Sequence, residues 1–380
     1  MKIIKVSSFF WPVKGGMENH LYYEGKELIK SGHDLQVFTS DSLRRGKIKR
    51  KFAIIDGIHV SRFPTWFKLS AFTPICPSLL KRILTEDYDI LHVHSYRQFH
   101  NFSVLLGKLR GKPAVLSTHW PEYPKEARGF LMNLFTKIYD VTIGPIILKS
   151  SDKLIVQTEA EKIWLQKKFR INAEKIEIIP PGIDKNYLLQ MDSNKFRKKF
   201  RIKEKNIVLC VGRLHKSKGF DKIIKIANDF KNVKFVLAGP DGGYRKDLEI
   251  LSARMKTENK ILFTGELSEE EKRGALAACD VLVMPSDYEA FGIALIEAFA
   301  HGKPAIATNS GGMPYVIGDC GFVFEKDNLN ELKEKLQKLL SDKKLCSELG
   351  KKARGRAENY TWEKLTHDLE KVYRTLLANS

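Results

Sequence analysis

Two glutamates, Glu289 and Glu297, stand eight positions apart on either side of Phe291-Gly292-Ile293, within the run VLVMPSDYEAFGIALIEAFAHGKPAIAT from Val281 to Thr308. The run opens with four apolar residues, as a strand buried on both faces does, and Pro285 ends it because proline cannot donate to a sheet ladder. Ile293 to Ala300 then has a helix pattern that stops at Gly302 and Pro304, and the apolar run Ala305 to Thr308 follows. The first amides of a helix lack intrahelical partners and carry partial positive charge, so the backbone of Phe291, Gly292 and Ile293 is an anion site. Gly292 has no side chain to keep a phosphate from that backbone. A carboxylate repels phosphate but accepts hydrogen bonds from sugar hydroxyls. A diphosphate flanked by two sugars satisfies all three groups, and a sugar nucleotide has that shape.

Cations for such a ligand follow the strand expected at Ile207 to Val211: Gly212, Arg213 and Leu214, then Lys216, Lys218 and Gly219. Two cations beside glycines at the carboxyl end of a strand suit a diphosphate, and arginine can bind its oxygens bidentately. His119 directly follows the apolar run Ala114 to Thr118, again at a carboxyl end, where open α/β sheets bind ligands. Gly15 and Gly16 lie between a first strand, Lys2 to Ser7, and a helix expected from Glu18 to Lys30. They permit either a tight turn or close approach of backbone to a ligand. The absence of G-x-G-x-x-G disfavours a nicotinamide dinucleotide. Asp87-Tyr88-Asp89 has a D-x-D form, but it precedes the strand Ile90 to His94 at its amino edge and reads as a lead-in. His92 and His94 read as structural. No other carboxylate or histidine cluster has metal-ligand spacing, so the expected chemistry uses no metal and no cofactor.

These residues need elements to carry them. Further strands are expected at Leu35 to Thr39, Ile58 to Phe63, Asp152 to Thr158 and Ile176 to Ile179, then at Phe235 to Gly239 and Ile261 to Thr264. Strands alternating with helices in both halves imply an α/β protein with two doubly wound parallel sheets. Pro180-Pro181-Gly182-Ile183-Asp184 has the composition of a hinge. The expected domains are 1–182 and 183–360, with a closing helix in 361–380 after Tyr360-Thr361-Trp362.

The 380 residues carry a net charge of +20, and residues 1–182 hold 29 basic against 17 acidic residues. The densest basic run is Arg44, Arg45, Lys47, Lys49, Arg50 and Lys51. It reads either as a solvated loop or as a contact for anionic lipid, polyanion or nucleic acid. Pro64 to Leu84 mixes apolar and basic residues and suits a bilayer interface or packing on its own domain. No run of 18 apolar residues occurs, and MKIIKVSSFFWPVKGG lacks the apolar core and cleavage site of a signal peptide. Five scattered cysteines without C-x-x-C pairs fit reduced thiols. The expected location is the cytoplasm, or the inner face of the cytoplasmic membrane.

The spacing of Glu289 and Glu297 in this strand-loop-helix context, with PSDYEAFGIALIEAFAHGKPAIAT and SGGMPYVI around it, resembles the retaining glycosyltransferases of family four. Gly212, Arg213, Lys218 and Gly219 match that family's G-R-L…K-G element, and Pro180 to Asp184 its interdomain P-x-G-[IV]-D. Tyr315 departs from it, standing where a glutamate usually follows the proline. The resemblance implies the GT-B architecture, two Rossmann-like domains facing across a cleft, with the closing helix crossing back onto the first. It implies catalytic roles for Glu289, Arg213, Lys218 and His119, and donor binding by Gly15, Gly16, Gly212, Phe291, Gly292, Ile293 and Glu297. Glu289 would orient the donor sugar and Glu297 the ribose, while Arg213 and Lys218 neutralise the departing diphosphate. The base would lie against the loops after Gly239 and Thr264. The implied reaction moves a hexose from a nucleoside diphosphate sugar to a hydroxyl of a lipid-linked or polysaccharide acceptor, without a protein general base. An anionic membrane surface would meet Arg44 to Lys51, and no specific nucleic acid is expected. The competing readings are a non-catalytic basic binding protein that keeps this fold, and a sugar-nucleotide epimerase.

Overall fold

The computed structural model describes residues 1–13, 15–43, 46–70, 73–119 and 129–379. The chain divides into one unit of Met1–Gly182 with Trp362–Ser380, and a second of Ile183–Thr361.

The first unit contains β1 (Lys2–Val6), β2 (Asp34–Ser40), β3 (Phe52–Ile55), β4 (Ile58–Phe63), β5 (Phe67–Ser70), β6 (Thr73–Ile75), β7 (Ile90–His94), β8 (Ala114–Ser117), β9 (Lys153–Val156) and β10 (Ile176–Ile178). Eight of these form one sheet in the order β10-β9-β8-β7-β1-β2-β4-β3. Its central strands are buried along their whole length, which is why they read as continuous apolar runs. All neighbours are parallel except β3 and β4. That pair is a hairpin across Asp56-Gly57, both at positive φ (48° and 85°), the conformation that a tight two-residue turn demands. The β3 strand was not expected; Asp-Gly marks it, hidden beside the basic run.

Pro64 to Leu84 is not one amphipathic segment. It splits into the hairpin β5–β6 and a helix, Pro77–Thr85. Ile75, Leu79 and Ile83 enter the core, while Trp66, Phe67 and Leu69 stay exposed. Asp87 and Asp89 serve the amino edge of the sheet: Lys2 pairs with Asp87 at 2.6 Å and its amide donates to Asp89 at 2.7 Å. The last helix, Trp362–Ala378, belongs to this unit, because Leu365, Leu369 and Tyr373 share a core with Ile3, Leu21, Leu28, Leu35 and Val37.

The second unit has one sheet of β11 (Asn206–Val211), β12 (Val233–Ala238), β13 (Ile261–Gly265), β14 (Val281–Met284), β15 (Ala305–Thr308) and β16 (Gly321–Phe324). Their order is β13-β12-β11-β14-β15-β16, all parallel. Side chains alternate between two cores, with Leu209, Val236, Leu282 and Ala305 on one face and Val208, Phe235, Val283 and Ile306 on the other. Both sheets reverse their winding at one place, between β1 and β7 in the first unit and between β11 and β14 in the second. Loops diverge there at the carboxyl ends and leave a crevice.

Leu369 is fully buried, so Leu369→Ala is expected to cost the first unit about 2–5 kcal/mol. Chemical denaturation should then show a transition at lower denaturant. An unchanged profile would mean that the closing helix adds nothing to that core.

Candidate functional site

The second unit builds its site from the loops after β11 and β14. Gly219 has φ 66°, and a Cβ there would lie 2.1 Å from the Pro285 carbonyl oxygen, so only glycine lets these two backbones touch. The Asp287 amide donates to the Ser217 carbonyl at 2.8 Å. Buried Lys222 binds across both, 3.2 Å from the Pro285 carbonyl, 2.8 Å from Asp287 and 3.1 Å from Asp327. Burial opposes its charge, but the two carboxylates outweigh that and raise its pKa. A third loop supports the arrangement. Ser310 Oγ donates to the Asp287 carbonyl at 2.7 Å, and the Gly312 amide to the Glu289 carbonyl at 2.9 Å.

Held in this way, Lys218 donates to Glu289, and both side chains remain partly open to water (28% and 17% exposed). Gly292, at φ 90°, is the N-cap of the helix Ile293–Ala300 and supplies no side-chain cap. Phe291 turns its ring into the core beside Tyr360, so it offers the crevice backbone only. Gly212 has φ 156°, and the Arg213 side chain runs over Gly242, where a Cβ would lie 2.8 Å from its methylenes. Glu297 has a different partner. It is 8% exposed, and Lys272 Nζ lies 2.9 Å from its Oε1.

In the first unit, His119 follows β8 at φ 54°. Its Nδ1 is 3.0 Å from the Gln157 amide nitrogen and its Nε2 is 3.1 Å from His94 Nδ1. With the amide donating to Nδ1, the His119 proton sits on Nε2 and is donated to His94. Gly15, in extended backbone, caps the helix Gly16–Lys30, and a Cβ there would lie 2.3 Å from the Glu18 carboxylate. Gly16 is thus the first helical residue, two positions before the expected start.

Sequence spacing missed a polar cluster under these residues. Lys5 of β1 donates to Glu24, both buried, and His20 Nε2 lies 3.5 Å from the same carboxylate. Ligand-type atoms of Glu24, His92 and His94 all lie within 4.8 Å of one another. Both nitrogens of His92 are engaged, with Tyr373 at 2.5 Å and Ser117 at 2.8 Å. The Lys5 amine lies against Glu24, and burial holds its pKa well below the usual lysine value. Burial, with smaller contributions from Lys5 and neighbouring rings, pushes His92 and His94 well below the usual histidine value. Removal from water and then the Lys5 charge bring His119 down to about 4.

Arg44 and Arg45 lie outside the described residues. Of the remaining basic run, Lys47 pairs with Asp41 at 3.7 Å, and Lys49, Arg50 and Lys51 are exposed.

Two doubly wound parallel sheets, each with its loops gathered at a switch point, define the class as a two-domain α/β protein of the GT-B type. Residues 192–356 match the family Glycosyl transferases group 1, and residues 14–187 match Glycosyltransferase Family 4. The sulfoquinovosyl transferase SQD2 of Arabidopsis thaliana is 27% identical over 329 residues, 80% of this chain but 60% of that protein. The chain thus spans less than two thirds of that relative's length. The phosphatidylinositol N-acetylglucosaminyltransferase GPI3 subunit of Saccharomyces cerevisiae is 24% identical over 350 residues, 89% of this chain and 75% of that one. The Anabaena protein HepE, solved in complex with UDP and glucose, superposes with a TM-score of 0.75 at 19% identity, over 99% of this chain and 100% of that one. The chain belongs to the group 1 glycosyltransferases and has their GT-B fold.

Buried imidazoles make stability depend on pH. His92, His94 and His100 have folded pKa values below the unfolded value of 6.5, with His100 near 4. The unfolded chain therefore gains protons that the folded one refuses, and stability falls as pH drops from about 6.5 toward 4. The loss is about 1.4 kcal/mol per pH unit for each group. Denaturant titrations at pH 7.5 and pH 5 should show it, and His94→Asn should reduce the slope by one group's share. Equal stability at both pH values would overturn the assignment.

Proposed function

We propose that this enzyme moves a hexose from a nucleoside diphosphate sugar to an acceptor hydroxyl, with retention of anomeric configuration and without a metal ion. The observation that carries the reading is the Lys218–Glu289 pair at the β11/β14 switch point, beside a helix N-terminus that no side chain caps. In this reading an arriving diphosphate competes for Lys218. Glu289 is then released to accept hydrogen bonds from the donor sugar.

The bond from the anomeric carbon to the phosphate oxygen breaks as the acceptor oxygen bonds to the same face. The acceptor proton passes to the departing phosphate, so no side chain acts as general base. Arg213, Lys218 and the amides near Gly292 stabilise the charge that leaves, in a preorganised site. These cations do what a divalent ion would otherwise do. Glu297 accepts from the ribose. Gly212 allows the phosphates close to the backbone, and Gly15, Gly16 and His119 are assigned to the donor hexose. Binding of UDP and glucose by a protein of this fold supports a nucleotide-sugar donor.

The acceptor hydroxyl belongs to a lipid-linked molecule or a polysaccharide, met on the inner face of a cytoplasmic membrane. Exposed apolar side chains support a lipid: Trp66, Phe67 and Leu69 on one hairpin, and Phe130, Leu134, Ile138 and Val141 along one face of the helix Phe130–Val141. Among the described residues no helix is long and apolar enough to cross a membrane.

Calorimetric titration with UDP, GDP and ADP tests the donor site. One of them should bind at micromolar Kd, and Arg213→Ala/Lys218→Ala should abolish the binding, since each charged contact is worth about 1.5–3 kcal/mol. No binding to any of the three would favour a non-catalytic protein, and NMR of the product's anomeric carbon decides retention. Vesicle co-sedimentation tests the membrane contact. Binding to anionic vesicles should fall with salt and with neutralisation of Lys49, Arg50 and Lys51, whereas equal binding to neutral vesicles would count against it.

A further inference from the structure

Glu297 is almost out of water, and a carboxylate so placed needs a partner. Its partner is Lys272, which the sequence analysis did not single out. Lys272 projects from the first turn of the helix Glu269–Ala278, and that helix has a defined start. Ser268 Oγ accepts the Glu271 amide at 3.2 Å, and Glu271 accepts the Ser268 amide at 2.8 Å. This capping box sets the rotation of the helix and so aims Lys272.

Three groups surround the Lys272 ammonium. Glu297 Oε1 lies at 2.9 Å, Glu269 Oε1 at 3.2 Å, and the centre of the Tyr187 ring at 5.3 Å. Tyr187 in turn donates its hydroxyl to Glu269 Oε2 at 2.6 Å. Both oxygens of Glu269 are therefore spent on the network, whereas Glu297 gives Oε1 to Lys272 and also lies beside the Tyr187 hydroxyl. Burial opposes the Lys272 charge, but Glu297 and Glu269 outweigh it and raise its pKa, so the ammonium persists across the neutral range.

Such a pair is a weak way to join two helices, because desolvating both charges cancels most of the attraction and an apolar contact would serve as well. What it does supply is orientation. A fixed ammonium on Oε1 sets the plane of the Glu297 carboxylate and leaves its other lone pairs in a defined direction. A vicinal diol requires an acceptor of that kind, since its two hydroxyls point along fixed lines. A carboxylate free to rotate would lose part of its binding energy to ordering.

We propose that Lys272 is a positioning residue: it holds the Glu297 carboxylate in the orientation that accepts the ribose hydroxyls, and so sets the preference for ribonucleotides over deoxyribonucleotides. The inference rests on the reading that Glu297 meets the ribose. Glu269 acts one step further out, by holding Lys272, while Tyr187 packs under Lys272 and lies beside both carboxylates. Lys218 is not part of this arrangement, because it pairs with Glu289. Loss of Lys272 should therefore leave diphosphate recognition in place while removing discrimination at the sugar.

The test compares wild type with Lys272→Met, which keeps the length of the side chain over Tyr187, and with Lys272→Arg, which keeps the charge. Lys272→Gln, a milder neutral change, serves if the methionine variant melts early. Calorimetry measures the Kd of the nucleoside diphosphate that binds wild type, and of its 2′-deoxy and 3′-deoxy forms. Wild type should favour the ribonucleotide about tenfold, as one lost hydrogen bond to a charged group predicts. Lys272→Met and Lys272→Gln should reduce that ratio to about two or less, and Lys272→Arg should largely restore it. A merely structural role would weaken all three ligands equally and leave the ratio unchanged, which would overturn the proposal while the ribose reading stands. If wild type itself does not discriminate, the ribose reading fails, and the role of Lys272 with it.

Discussion

The second unit depends on a steric constraint at its switch point. The loops after β11 and β14 touch because Gly219 presents no side chain to the Pro285 carbonyl, and a third loop reaches Glu289 because Gly311 does the same. At Gly311 a Cβ would lie 2.0 Å from the Glu289 carbonyl oxygen. Neither contact stabilises much by itself. Together they fix three backbones, and the side chains that matter then have little freedom. Lys218 meets Glu289, Lys222 is held by two carboxylates, and the helix starting at Ile293 directs its uncapped amides into the same crevice.

The two glutamates of the E-x7-E spacing differ through their surroundings. Glu289 lies on a loop, partly in water, against a lysine that is itself partly exposed. An anion can draw that lysine away, so the contact is exchangeable. Glu297 lies in a helix against the core, and its lysine is also held by Glu269 and packed over Tyr187. That contact is held from several sides. One carboxylate is thereby suited to respond to a ligand, the other to present a fixed surface to it.

The first unit solves a different electrostatic problem. It buries Lys5, His92 and His94 of the central strands and Glu24 of the helix Gly16–Lys30, where an unpaired charge would cost several kcal/mol. The lysine and glutamate face each other, and the imidazoles stay neutral and share hydrogen bonds with Tyr373, Ser117 and His119. Tyr373 comes from the closing helix, so the end of the chain completes the polar core made by its beginning. His119 inherits its orientation from this network through His94 and Gln157.

The sequence by itself determined the elements whose signals are local. Strands buried on both faces read as apolar runs, and the loops carrying Arg213, Lys218, Glu289 and Gly292 stand out because glycine and proline punctuate them. The Asp56-Gly57 turn carries the same kind of punctuation, but β3 was not expected because a dense charge run lay beside it. Gly16 was placed outside its helix because a glycine pair weakens the helical signal. What only the tertiary structure decided are contacts between residues far apart in the chain. Lys5 with Glu24 and His92, Tyr373 with His92, and Lys272 with Glu297 have no common spacing or motif. Their pairing follows from strand order and helix rotation, which depend on how whole faces bury against one another, and periodicity along a single segment carries no record of that.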